Sequence, residues 1–206
     1  MEDPKKLINC PVVSIIVPVY NAERTIDRCL NSLVNQTYDH IEILIVNDGS
    51  IDSSGVKCDR YAEIDTRVKV FHIENKGVSN ARNCGIANST GDFIIFVDSD
   101  DYLTETACEV LINHQLAFDD DCVVYGFSQL SGSIWAPAYS QHYSSLSEFK
   151  KDYITWLNTE LLSSSVNKLY KRSKVINLFP EHMSFGEDLI FSLSYLSSCE
   201  TISFIT

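Results

Sequence analysis

The stretch Ile41-Glu42-Ile43-Leu44-Ile45-Val46-Asn47-Asp48-Gly49-Ser50 decides the fold. It is an apolar run closed abruptly by four turn-forming residues. A strand that is apolar at successive positions has both faces buried, which marks a parallel sheet covered by helices on either side. The same design recurs on both sides of it. Val12 to Val17 is a compact run closed by Pro18, Val68 to Ile73 is a third, and Phe93 to Val97 is a fourth, closed by Asp98-Ser99-Asp100-Asp101. Helical patterns fill the gaps. Ile26, Leu30, Leu33 and Val34 take helical spacing within 23–35, Asp52 and Ser53 offer N-cap chemistry for 53–65, and Lys76-Gly77 opens a helix over 78–88.

Strand and helix in alternation predict an α/β domain with right-handed crossovers and helices on both faces of the sheet. In such sheets ligands bind beyond the carboxyl ends of the strands. Those ends here are Tyr20-Asn21, Asn47-Asp48-Gly49, Glu74-Asn75-Lys76 and Asp98-Ser99-Asp100, so a site is expected at these four tips.

Past residue 103 the pattern loosens. A helix over 104–117 and a strand over 121–127 continue the sheet, and 128–144 reads as a loop rich in Ser, Tyr, Gly and Pro. Ser145 and Glu148 have capping-box spacing ahead of a helix over 146–159, and a last helix starts near Glu187. The expected division is an N-terminal extension over 1–11, an α/β part over 12–126 and a further part over 127–206. Thr201 to Thr206 alternates like a strand at the point where the chain stops, so the expectation is a piece cut from a longer protein.

The 206 residues are 45% apolar, enough for a substantial core. A formal charge of -12 opposes non-specific nucleic-acid binding, so a phosphate site must be built locally from a metal, a few cations and backbone amides. Seven cysteines, odd in number and without C-x-x-C spacing, read as reduced and structural, which points to a cytoplasmic chain. Five scattered histidines form no zinc pattern. No apolar run approaches the ~18 residues of a membrane span. Peripheral membrane association and homodimerisation are left open.

Four constellations carry candidate chemistry, each with a plainer reading beside it. If the chain is extended after Phe96, Asp98 and Asp100 face one point with Ser99 turned away, and two converging carboxylates suit a hard cation such as Mg2+ or Mn2+. The plainer reading is an acidic loop capping the next helix. Asp48 is either a turn residue or an acceptor for a base N–H. Lys76, Gly77 and Arg82 place cations and amides at a helix start, a natural anion site, or else Arg82 pairs with one of the many acids. Glu187 and Asp188 either answer the helix dipole or supply a general base.

Taken in series, Val13-Ser14-Ile15-Ile16-Val17-Pro18-Val19-Tyr20-Asn21, Ile45-Val46-Asn47-Asp48-Gly49-Ser50, Lys76-Gly77 with Ala81-Arg82-Asn83, and Phe96-Val97-Asp98-Ser99-Asp100-Asp101 resemble the inverting glycosyltransferases of family 2. The likeness spans about residues 12–105. Asn167-Lys168-Leu169-Tyr170 and Gly186-Glu187-Asp188 look like the family's acceptor-side segments. The resemblance implies a Rossmann-like nucleotide-diphospho-sugar transferase fold, mostly parallel, and a nucleotide-diphosphate sugar donor, usually a UDP-sugar. It further implies that Pro18, Tyr20 and Asp48 contact the base, with Asn21, Lys76, Gly77 and Ser99 on the donor side. Arg82 would hold the nucleotide, Asp98 would face ribose and metal, and Asp100 would ligate the metal. Asp188 would be the base with Glu187 beside it, and the acceptor a saccharide or a lipid-linked one. The Q-x-x-R-W segment of processive synthases is absent, so a non-processive transferase is expected. Loops over 163–185 are expected to close over the donor.

The rival readings are a nucleotidyltransferase, a dinucleotide oxidoreductase and a sugar-nucleotide binder without catalysis. The oxidoreductase needs G-x-G-x-x-G after the first strand, where this chain has Pro18-Val19-Tyr20-Asn21.

Overall fold

A computed structural model describes residues 10–128, 133–183 and 185–206. The polar N-terminal stretch Met1 to Asn9 lies outside the described residues. Four parallel strands, β1 (Val13–Val19), β2 (Ile41–Asp48), β3 (Val68–Ile73) and β4 (Phe93–Phe96), stand in the order β3-β2-β1-β4. Helices α1 (Ile26–Val34), α2 (Ser54–Ile64) and α3 (Val78–Asn88) make the crossovers. Because chain order reverses between β1 and β4, their carboxyl ends open the crevice where such sheets take ligands.

Pro18 occupies an informative place there. In a parallel strand the backbone groups of alternate residues point to the same neighbour. The Ile16 carbonyl accepts from Val97 N–H on the β4 side at 3.0 Å, so Pro18 presents its nitrogen to that side too. The β1–β4 pairing has ended by then, at Ile16 with Phe96. The next rung of the parallel ladder would run from residue 18 N–H to the Val97 carbonyl, so a proline here, lacking that hydrogen, ends the β1–β4 pairing.

The sheet continues differently from the expected pattern. After α4 (Ala107–Phe118) comes β5 (Cys122–Tyr125), but β5 does not pair with β4. The strand β9 (Lys168–Lys171) lies between them, antiparallel to both. Then β10 (Ile202–Ile205) runs parallel to β5, and β8 (Gln141–Tyr143) closes the edge antiparallel to β10. Within 128–144, expected as loop, the described residues thus include β8 and part of a small hairpin, β6 (Phe127–Ser128) with β7 (Ile134–Trp135). One eight-stranded sheet therefore runs through both the 12–126 and 127–206 segments.

Alternate strand residues feed two cores on opposite faces. On one face Val13, Ile15, Val17, Ile43 and Ile45 pack with Ile26, Leu30 and Leu33 of α1 and Leu111 and Ile112 of α4. On the other, Ile16, Leu44, Ile94 and Phe96 pack with α5 (Leu146–Leu157) and α6 (Glu187–Ser198). The capping box at α5 forms with a shift. Ser145 Oγ accepts from Glu148 N–H at 3.3 Å, but Glu148 reaches back to the N–H of Ser144 at 3.0 Å rather than to Ser145.

Candidate active site

The loops after β1 and β2 are sewn together. Asn21, in the left-handed region at φ 50, donates its N–H to Ser50 Oγ at 3.0 Å and accepts from Ile51 N–H through Oδ1 at 3.0 Å. Asn21 therefore shapes the rim, while its neighbour Tyr20 is 51% exposed beside it. Pro18 is buried in the floor.

At the tips of β2 and β3, the buried Asp48 carboxylate accepts from Lys76 N–H at 2.9 Å and Gly77 N–H at 2.8 Å. Two amides expected to face an anion thus face Asp48. Each carboxylate oxygen retains a second acceptor position, which suits a base N–H.

The acidic stretch after β4 is not extended. The strand ends at Phe96, and Asp98 C=O accepts from Asp101 N–H at 2.9 Å, closing a turn. The alternation expected to aim Asp98 and Asp100 at one point therefore does not apply, because the turn bond replaces the extended backbone it needs. Side chains of α1 hold the turn instead. Arg28 donates to Asp100 C=O and lies 5.2 Å from the centre of the Tyr102 ring. The Cys29 thiol donates to Asp98 C=O at 3.6 Å, Ser32 Oγ accepts from Leu103 N–H at 3.2 Å, and Gln36 donates to Thr104 C=O at 2.8 Å. Residues 28, 29 and 32 share one side of the helix and Gln36 lies just past its end, a pattern present in the sequence but masked by their mixed chemistry. Ser99 is half-buried within the turn, and Asp100 is exposed.

Arg82 ties this turn to α6. It is 3% exposed, and its guanidinium donates to Asp98 Oδ1 at 2.9 Å and to Asp188 Oδ1 at 2.7 Å. Helix α3 can approach closely enough because Gly85 rests on β1, where a Cβ would fall 2.3 Å from Ile16 Cγ2. Burial lowers the Arg82 proton affinity, but Asp98 and Asp188 outweigh it and hold the group firmly charged. Burial pushes the Asp98 carboxyl up, Arg82 opposes this, and Asp188 and Asp100 add to the rise. One arginine thus leaves net negative charge in the cluster. Of the two expectations for Arg82, a nucleotide contact or pairing with an acid, the pairing is present: its two terminal nitrogens donate to two acids, 16 and 106 residues away.

Asp188 and Glu187 stand in the first turn of α6, whose N-cap Gly186 has φ 80, a left-handed conformation that a side chain would strain. Asn167-Lys168-Leu169-Tyr170 is buried throughout, so it serves the interior. Lys168 donates to Leu161 C=O at 2.8 Å, to Asn167 Oδ1 at 2.9 Å and to Ser164 C=O, and burial pulls its ammonium down to about 8.

Among the described residues no group of three or more His, Cys, Asp or Glu side chains could hold a metal ion. No helix of the described residues is long and apolar enough to cross a membrane. None of the seven cysteines is in a disulfide.

Residues 14–179 match the family model described as glycosyl transferase family 2. The chain belongs to that family. Its glycosyltransferase relatives include GlyA of Streptococcus pneumoniae serotype 4, 36% identical over 185 residues, covering 85% of this chain and 27% of GlyA. The putative glycosyltransferase EpsH of Bacillus subtilis is 41% identical over 170 residues, covering 80% of this chain and 48% of EpsH. The chain thus spans less than half the length of these two family members. Among solved structures, S. aureus TarS 1-349 superposes with a TM-score of 0.80 at 25% identity, covering 93% of this chain and 57% of TarS 1-349. TarS 1-349 is also solved in complex with UDP-GlcNAc. The fold is the A-type nucleotide-sugar transferase fold of this family, its sheet mostly parallel but interrupted by β9.

Proposed function

We propose that this chain handles the donor in a non-processive, inverting glycosyltransferase that moves a sugar from a nucleotide diphosphate, a UDP-sugar by resemblance, to an acceptor hydroxyl. The observation that carries the reading is the guanidinium of Arg82 spanning Asp98 and Asp188. It puts the acid of the β4 turn and the acid of α6 on the same crevice, although 90 residues separate them in sequence (188 minus 98).

The nucleotide base would lie between Tyr20, Pro18 and Asp48, with Asp48 accepting its N–H. Lys76 and Gly77 would line the donor side, with Asn21 holding the rim and Ser99 in the turn beyond. By the resemblance rather than by strand alternation, the exposed Asp100 and the Asp98 oxygen that Arg82 leaves free would hold a divalent cation, Mn2+ or Mg2+. Two carboxylates are a usual protein share for such ions, which take phosphate oxygens for the rest. When bound, the ion neutralises charge growing on the departing diphosphate. Asp188 would take the proton of the attacking hydroxyl as the new bond forms opposite the leaving group, with Glu187 beside it. Unpaired cysteines support a cytoplasmic setting. Synthesis of a polysaccharide or glycoconjugate, on a saccharide or lipid-linked acceptor, is the role this chemistry suits.

The test is release of UDP from a panel of UDP-sugars, with and without Mn2+, for the wild type and Asp188→Asn in the full-length protein. Asp188→Asn is expected to keep donor affinity within threefold and to lose turnover by about 10²–10⁴-fold. Equal turnover in both forms removes Asp188 from the role of base.

A further inference from the structure

Beside Arg82 on α3 stands Asn83, also buried, and its side chain does unusual work. Its Nδ2 donates to Phe179 C=O at 2.9 Å, and its Oδ1 accepts from Phe179 N–H at 2.9 Å. The same Nδ2 donates to Glu181 Oε1 at 3.0 Å. An asparagine bonded to both backbone groups of one residue fixes that residue in position and orientation, as a strand partner would. Here the residue is 96 positions away.

Phe179 passes the constraint on. Its ring stacks on Phe191 at 3.8 Å between centroids and 10° between planes. Phe191 lies on α6, three residues past Asp188, hence one turn along on the neighbouring face. The Phe179 ring also lies 5.2 Å from the Arg82 guanidinium. Two routes thus lead from α3 to Asp188. One is the Arg82 ion pair, and the other runs through Asn83, Phe179 and Phe191. Residues 185 and 186 approach α6 through an exposed Phe185 and the left-handed Gly186, so the first turn of α6 draws little support from its own N-terminal lead.

We infer that Asn83 is a positioning residue: it clasps Phe179 so that α6 presents Asp188 opposite Asp98. This rests on the reading of Asp188 as the base, and it gives Asn83 no contact with the donor. The hydrogen bonds lie within a buried setting, where each is worth more than at the surface and an unmet partner is expensive. Removing the Asn83 amide frees both backbone groups of Phe179 and lets α6 drift, while the nucleotide contacts at Tyr20 and Asp48 keep their geometry.

Three measurements on the full-length protein test this. In Asn83→Ala, amides of 179–191 are expected to exchange at least tenfold faster than in the wild type, with amides of β1 and β2 unchanged. UDP affinity should stay within twofold, and kcat should fall about 30-fold with donor KM nearly constant. Because Asn83→Ala removes buried bonds, Asn83→Asp with and without Glu181→Gln serves as the second series. The single change sets a carboxylate against both Glu181 and the Phe179 carbonyl and should loosen 179–191 at least as much as Asn83→Ala. The added Glu181→Gln relieves only the first repulsion and should recover part of the lost protection, the unmet Phe179 carbonyl keeping it below wild type. Unchanged exchange over 179–191, or a UDP affinity that falls in step with kcat, overturns the clasp. A wild type that turns over no sugar nucleotide defeats the proposed function instead, and the exchange series then decides the clasp alone.

Discussion

Across β1 to β4 the sheet is lined mainly by valine, isoleucine and leucine, and one of its two cores, under α1 and α4, is almost wholly aliphatic. The opposite core, which runs from Ile16, Leu44, Ile94 and Phe96 to β5, β9, β10 and β8, is largely aromatic from Phe96 onward. Trp156 stacks on Phe204 at 3.9 Å, Phe179 on Phe191 at 3.8 Å, and Phe96 meets Tyr170, Phe179 and Phe191 edge-on. The aliphatic region is a regular array of parallel strands with short crossovers. The aromatic region joins segments distant in sequence and running in opposite directions, where large flat rings fill irregular gaps. Regular topology lets small branched side chains suffice; mixed topology needs wide ones.

The largest expected effect bears on the aromatic region. Phe191→Ala should destabilise the protein by about 3–5 kcal/mol, read from urea unfolding. Both tryptophans, Trp135 and Trp156, lie in that region, so fluorescence reports it while far-ultraviolet circular dichroism reports the whole sheet. A shared eight-stranded sheet predicts coincident transitions by the two probes. An earlier fluorescence transition in Phe191→Ala would show two separable units and break the comparison.

Next comes the buried acid network around Glu42 in the aliphatic region. Glu42 accepts from Ser14 Oγ at 2.7 Å, Thr90 N–H at 2.6 Å, Gly91 N–H at 3.1 Å and Lys69 Nζ at 2.9 Å. Burial pushes this carboxyl up, but the bonds from Thr90, Ser14 and Lys69 outweigh it and hold it at about 2. A carboxyl depressed in the folded state stabilises above its unfolded value and loses that contribution as pH falls toward the folded one. Glu42→Gln is therefore expected to cost about 2 kcal/mol at pH 7, with the gap to wild type closing between about pH 4.5 and pH 2. A gap constant over that window would mean that the fold does not hold the Glu42 carboxyl down.

The smallest effect sharpens the contrast at the entry to α5. Ser145→Ala should cost about 1 kcal/mol, the usual worth of an N-cap, in thermal or urea unfolding. A change below a few tenths would show Glu148 and Ser144 holding that helix end alone.

The same contrast sets what was legible beforehand. The strands β1, β2 and β4 announced themselves because double-faced burial demands apolar runs. β3 was legible from Val68, Val70, Phe71 and Ile73 although its place at the edge exposes Lys69 and His72, and each helix between these strands lies within the expected range. The strand β9 escaped notice because Lys168 and Lys171 make it look like a surface segment; Lys168 is buried only because carbonyls of 161 and 164 surround its ammonium. The strand β8, Gln141-His142-Tyr143, is polar because it forms an edge. At the crevice, the acids could be named from their positions at strand tips and a helix start. Their connection through Arg82 could not, because it joins three elements that only the folded sheet brings together. The turn at Asp98 departs from the expected alternation because β4 ends at Phe96, before either Asp98 or Asp100.

A pyrrolidine ring in the crevice floor has a consequence for whatever enters. Had residue 18 carried a hydrogen on its nitrogen, the next rung of the parallel ladder would run to the Val97 carbonyl and carry the pairing on past Ile16. Pro18 ends the ladder there. On the proposed reading, a flat heterocycle would settle against the apolar ring where the two strands part, and polar selection would pass to the walls.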